Sequence, residues 1–213
     1  MADHLMWSVA ALLLLGAFHG VNPGMGWLFA VALGMQEQRR KAVWRAMLPL
    51  AVGHGLAIGT VVLLAGLMGA LLPARALRVT VALMIVSLGA YRLVRQRHFR
   101  WRGMRVSMMG LTVWSFLMAS AHGAGLMVLP VVLAATPQHP SDHGAHAGQV
   151  ASAMSGAFAT AVHGIGYLVA TALAATVCYE VVGLTWLRKG WVNLDAVWGV
   201  ALILTGVVAL FTI

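Results

Sequence analysis

The sequence predicts an all-α integral membrane protein of six transmembrane helices, arranged as a three-plus-three inverted repeat with the first helix broken at Asn22-Pro23-Gly24. Three observations point there. Hydrophobic residues make up 61% of the 213-residue chain and charged residues only 9%, against roughly 25% charged in a soluble domain. Apolar runs as long as the ~20 residues that cross a bilayer recur along the whole chain. Histidine-glycine pairs also recur at matched places in the two halves, His19-Gly20 with His122-Gly123 and His54-Gly55 with His163-Gly164.

Taken in order, the spans run roughly over residues 5–35, 46–72, 77–95, 107–135, 150–181 and 191–213. The first opens at "MADHLMW", which lacks the basic start of a signal peptide, so it is expected to remain as a permanent span. Spans one, four and five are long, and excess length is absorbed by tilt or by a break. In span one the break is legible: proline lacks a backbone donor and disfavours helix at the residue before it. Such a break is tolerated at membrane depth only where protein or a water-filled cavity satisfies the freed backbone groups. "AFHGVNPGMGWLFAVAL" in span one resembles "ASAHGAGLMVLPVVLAA" in span four, and "GHGLAIGTVVLLAG" in span two resembles "VHGIGYLVATALAA" in span five. Span three loosely matches span six. Residues 1–105 then form one three-helix repeat, and residues 106–213 a second, which enters the membrane from the opposite side because each half has an odd number of spans. Many secondary transporters use this arrangement to place a site near the midplane.

The net charge of +9 raises the prospect of nucleic acid, but the positions of the charges exclude it. Twelve of the fourteen basic residues fall in alternate loops: Arg39, Arg40, Lys41 and Arg45; Arg92, Arg95, Arg97, Arg100, Arg102 and Arg105; Arg188 and Lys189. This is the positive-inside bias. It orients both termini away from the cytoplasm, in a bacterial inner membrane. Trp7 then marks the outer interface, and Trp44, Trp101, Trp186 and Trp191 the inner one. Cys178 is the sole cysteine, which excludes an internal disulfide, a cysteine metal cluster and paired-thiol redox chemistry.

The chemistry rests on histidine. His19, His54, His122 and His163 lie inside four different spans. Ionisable residues in a membrane are costly, and they usually mark a pathway or relay. Asn22 lies three residues after His19, Met25 just beyond the break, and Met118 four residues before His122. Imidazole with thioether suits transition metals, thioether favouring Cu(I). Gly20 and Gly24 have the spacing of close helix packing. The outer loop of residues 136–149 adds His139, Asp142, His143 and His146, a histidine-rich tract of the kind that captures metal loosely or merely links helices. No Asp or Glu lies centrally in any span; Glu180 and Asp195 are near helix ends.

"HGVNPGM", His19 to Met25, resembles the H-x-x-[DE]-x-x-H signature of the nickel/cobalt transporter family, especially the H-G-x-E-P-G-H form of its efflux branch within the lysine-exporter superfamily. The resemblance covers this one motif closely and the six-span layout loosely. It implies an inverted repeat, a histidine-rich loop and metal export. His19 becomes a metal ligand, Asn22 takes the acidic position and Met25 takes that of the second histidine. An amide thus replaces an acid, and a soft sulfur replaces a nitrogen.

The expected function is transport of a transition-metal ion (nickel, cobalt, copper or zinc) as substrate. His19, Asn22, Met25, His54, Met118, His122 and His163 would line the site at the repeat interface. Lipid is the surrounding partner, and the layout admits a homo-oligomer or a small accessory subunit. The alternative is a membrane b-type cytochrome in which the same four histidines ligate haem in pairs. Enzymatic chemistry is not expected, since Ser120 near His122 has no central carboxylate to complete a triad.

Overall fold

The structure is a computed structural model that describes residues 2–69, 71–94, 107–135, 145–182 and 194–211. Every regular element among them is helical. Helix α1 (Ala2–Val21) leads through a 3-10 turn (Pro23–Met25) into α2 (Trp27–Glu37). Then come α3 (Arg40–Gly69), α4 (Ala74–Val94), α5 (Met108–Ala121), α6 (Ala124–Ala135), α7 (Ala145–Val177) with a closing π-helical turn (Cys178–Val182), and α8 (Leu194–Phe211).

Three stretches are long and apolar enough to cross a membrane: α3, α4 and residues Ser155–Val181 of α7 with its π turn. The α5–α6 pair, bent by 62° at its break, makes a fourth if taken as one span. Large side chains such as Leu14, Leu63, Leu173 and Leu204 lie exposed on the outward faces, as lipid-facing residues do and as a water-facing surface of this extent does not. Six full spans are expected from the sequence, and three or four are found among the described residues. The other two apolar helices, α1 and α8, are described with their side chains only over Met6–Val21 and Ala196–Phe211.

A second difference concerns the first basic cluster. Arg40, Lys41 and Arg45 do not form a loop; they build the first turns of α3, and only Gln38 and Arg39 separate it from α2. Arginine and lysine are good helix formers, and ion pairs hold this end: Arg40 to Glu180 at 2.8 Å and Arg45 to Glu37 at 3.3 Å. The remaining loop arginines from Arg95 to Arg105, with Arg188 and Lys189, fall outside the described residues, as do His139, Asp142 and His143. His146 lies in the first turn of α7, where only the backbone is described.

Glycine sets which helices meet. α1 packs on α7, where a Cβ on Gly16 would stand 2.0 Å from the His163 carbonyl and one on Gly20 2.3 Å from the Tyr167 carbonyl. α3 packs on α5 at Gly53, 2.2 Å from the Thr112 carbonyl by the same measure. α4 packs on α8 through Gly89, Gly199 and Gly206, while α3 and α7 also touch each other. The packing partner of Gly20 along the chain is therefore Gly16. Gly24 lies beyond the end of α1 and faces the Asn22 side chain and the Met118 methyl instead.

Candidate metal-ion site

The first break is built by three consecutive residues. Asn22 is extended, Pro23 starts the 3-10 turn, and the Asn22 Oδ1 accepts from the Gly24 N–H at 2.9 Å. Gly26, at φ 117°, then turns the chain into α2, a backbone that side chains beyond hydrogen rarely adopt. The freed carbonyls are met by side-chain donors. Trp27 Nε1–H donates to Val21 at 2.9 Å, Trp114 Nε1–H to Gly24 at 3.0 Å and Tyr167 O–H to Met25 at 2.9 Å. Thr171 O–H reaches Gly20 at 3.4 Å.

The second break has no proline. His122 caps α5, and Gly123, at φ 72°, starts the bend into α6. Here too the loose carbonyls are met: Arg92 donates to Ala121, and Trp198 Nε1–H donates to His122 at 2.9 Å. The two breaks face each other. Trp114 of α5 holds the Gly24 carbonyl, and the Met118 methyl lies against Gly24.

Three of the four predicted histidines converge between the breaks. His19 comes from the last turn of α1, His54 from the middle of α3 and His163 from α7. Their ring centres are 5.7 Å (His19–His54), 5.0 Å (His19–His163) and 5.4 Å (His54–His163) apart. All three are buried to 1% exposure or less. His19 Nδ1 is hydrogen-bonded to the Leu15 carbonyl at 2.9 Å, while its Nε2 has no partner. Neither ring nitrogen of His54 has one, and those of His163 close no well-formed hydrogen bond, although the ring lies near the Leu12 carbonyl. Buried polar atoms are nearly always satisfied, so this cluster of five orphan nitrogens is unusual. Tyr167 stacks on His54 at 3.8 Å, and Trp198 meets His19 edge-on at 4.4 Å.

His122 stands apart. Its Nδ1 is bonded to the Met118 carbonyl at 2.8 Å, its Nε2 lies 3.5 Å from the Arg92 guanidinium, and its ring packs on Trp198. Asn22 uses its side-chain oxygen in the turn. Met25 is fully buried in one cluster with Tyr167, Trp198 and Met127, and Met118 packs against that cluster. Among the described side chains, the carboxylates are Glu37 and Glu180, both at helix ends in ion pairs. Among the described residues, no three His, Cys, Asp or Glu side chains are arranged to hold a metal ion as they stand; His54 and His163 lie parallel to within 4°.

Sequence reasoning missed Tyr167, Thr171, Arg92 and the three tryptophans Trp27, Trp114 and Trp198. Tyr167 had a signal, since it follows His163 by four residues and so shares its helix face. The tryptophans had another. They are buried, at 6%, 8% and 2% exposure, whereas the interfacial Trp7 and Trp44 are 75% and 50% exposed. An indole placed away from the interface needs an acceptor for its N–H, and here each one finds a carbonyl at a break. Compared with known proteins, the chain matches no family model, no curated protein and no solved structure.

Proposed function

We propose that the chain is a six-span transition-metal exporter of the inner membrane, built as an inverted repeat, with His19, His54 and His163 as the core of its transport site. The likeness of "HGVNPGM" to the nickel/cobalt efflux motif belongs to this proposal. The observation that carries it is the buried triad of imidazoles, each with at least one ring nitrogen that lacks a hydrogen-bond partner. A metal–nitrogen bond of about 2.0–2.1 Å places each imidazole centre about 3.2 Å from the ion, so centres on a shared tetrahedral or trigonal ion stand about 5.2–5.5 Å apart. The observed spacings of 5.0, 5.4 and 5.7 Å bracket that value. The rings would have to turn before their free nitrogens could share an ion, since His54 and His163 lie parallel.

The inverted repeat draws support from packing. α1 pairs with α7 as α5 pairs with α3, and α4 pairs with α8; exchanging the two halves maps this set onto itself. His19 and His122 each bond Nδ1 to the carbonyl four residues earlier. Each half breaks its first span near a glycine of positive φ. Haem fits less well, because the three central rings contact one another and leave no gap of macrocycle width between them.

Elemental analysis and an absorption spectrum of the purified protein test the proposal. A colourless protein that holds a transition metal, and loses it in His163→Asn, is the expected result. Stoichiometric iron with an intense Soret band would overturn it.

A further inference from the structure

We infer that the cargo is a soft monovalent cation of the Cu(I) class, passed between the imidazole triad and a thioether cluster formed by Met25, Met118 and Met127. This inference rests on the proposed transport function and specifies its substrate.

Charge is the first argument. The whole chain holds five acidic residues; among the described residues Asp3, Glu37, Glu180 and Asp195 lie at or near helix ends, and Asp142 falls outside them. The triad therefore offers only neutral donors. The desolvation cost of an ion grows with the square of its charge, so a divalent ion costs about four times as much as a monovalent one of equal size in the same low-dielectric site. The fixed charge nearby is also positive. Arg92 lies against His122, which shares Trp198 with His19. That field opposes a double charge more than a single one.

Donor type is the second argument. Met25 and Met127 are buried to 0% and 1% exposure in the cluster that contains Tyr167 and Trp198, and Met118 packs against it. Each lies at a break: Met25 ends the 3-10 turn, Met118 lies in the last turn of α5, and Met127 opens α6 with its N–H on the Gly123 carbonyl. Tyr167 links the two donor sets, stacking on His54 while its hydroxyl holds the Met25 carbonyl. Methionine often merely fills gaps in a core. Here all three flank the places where two spans stop being helical, in the same core cluster as Tyr167 and Trp198, whose rings touch His54 and His19; they would extend the imidazole site with softer donors. Imidazole suits zinc, copper, iron and nickel, whereas thioether selects Cu(I); copper is the member common to both.

Ag(I) and Zn(II) are suitable probes, since both have filled d shells and they differ in charge and softness. Equilibrium dialysis of the full-length protein in detergent, read by elemental analysis, would compare wild type, the Met25→Leu/Met118→Leu/Met127→Leu triple variant and His163→Asn. We expect about one Ag(I) per chain, bound at least about tenfold more tightly than Zn(II), with the triple variant weakening Ag(I) about tenfold and leaving Zn(II) unchanged. Where the triple variant does not fold, Met118→Leu alone, at the partly buried position, should lower the Ag(I)-to-Zn(II) ratio in the same direction. Zn(II) bound more tightly than Ag(I) and lost in His163→Asn would overturn the monovalent assignment while leaving metal transport standing. Ag(I) binding indifferent to all three leucines would overturn the thioether cluster. A protein that retains neither ion nor copper, nickel or cobalt would overturn the transport function itself.

Discussion

The two helix breaks start alike and end differently. In each, a histidine at the end of the helix bonds Nδ1 to the carbonyl four residues back, and a glycine of positive φ redirects the chain. At the first break the other ring nitrogen, His19 Nε2, has no hydrogen-bond partner, and the ring lies against His54, His163 and Trp198. At the second, His122 Nε2 faces Arg92. The local motif therefore presents an imidazole, and the helix packed against it decides what that imidazole does. α3 and α7 bring His54 and His163 to His19, whereas α4 brings a guanidinium to His122. One member of the pair faces other imidazoles and the other faces a guanidinium.

The sharpest way to break this comparison is to remove each histidine in turn. His19→Ala should weaken metal binding about 100-fold, and His122→Ala less than about threefold; equal losses in a dialysis assay would erase the distinction. The glycines should separate next. Gly26, at φ 117° with the Leu50 side chain 2.4 Å from where its Cβ would be, lies well outside the left-handed well that Gly123, at φ 72°, nearly occupies. Gly26→Ala should cost about 3 kcal/mol and Gly123→Ala about 1 to 2, read by denaturant unfolding in mixed micelles. Arg92→Met would leave the Ala121 carbonyl without its donor and should cost about 2 kcal/mol, while raising the affinity for any cation at the triad. Unchanged affinity would mean that the guanidinium field does not reach His19. The smallest effect is expected for Trp114→Phe, which removes one hydrogen bond to the Gly24 carbonyl at about 1 kcal/mol and should leave binding intact.

Much of the helical framework was legible because its determinants are local. Composition and apolar run length gave a membrane-type, all-helical chain, and Asn22-Pro23-Gly24 announced its own break. The break after His122 was hidden, since "SAHGAG" has no proline and carries no sign that a distant arginine and tryptophan will hold the loose carbonyls. The four central histidines were visible as chemistry, yet only tertiary packing could separate three from the fourth. For the same reason Asn22 read as an ion donor, although its oxygen closes a turn two residues away. Arg92 read as a loop charge because its sequence neighbours are arginines. Its side chain instead reaches a carbonyl 29 residues distant in the chain.

The first break is closed mainly from far along the chain. Trp114, Tyr167 and Thr171 all belong to residues 106–213, and each holds a carbonyl of residues 20–25. In hydrocarbon a released carbonyl finds no water to take the place of its donor. The two segments therefore cannot creep past one another while these bonds stretch; they must let go and re-engage in one move. Mechanically the break acts as a pawl and not as a spring. A distance probe across it, followed in single molecules, should jump between fixed levels without dwelling between them.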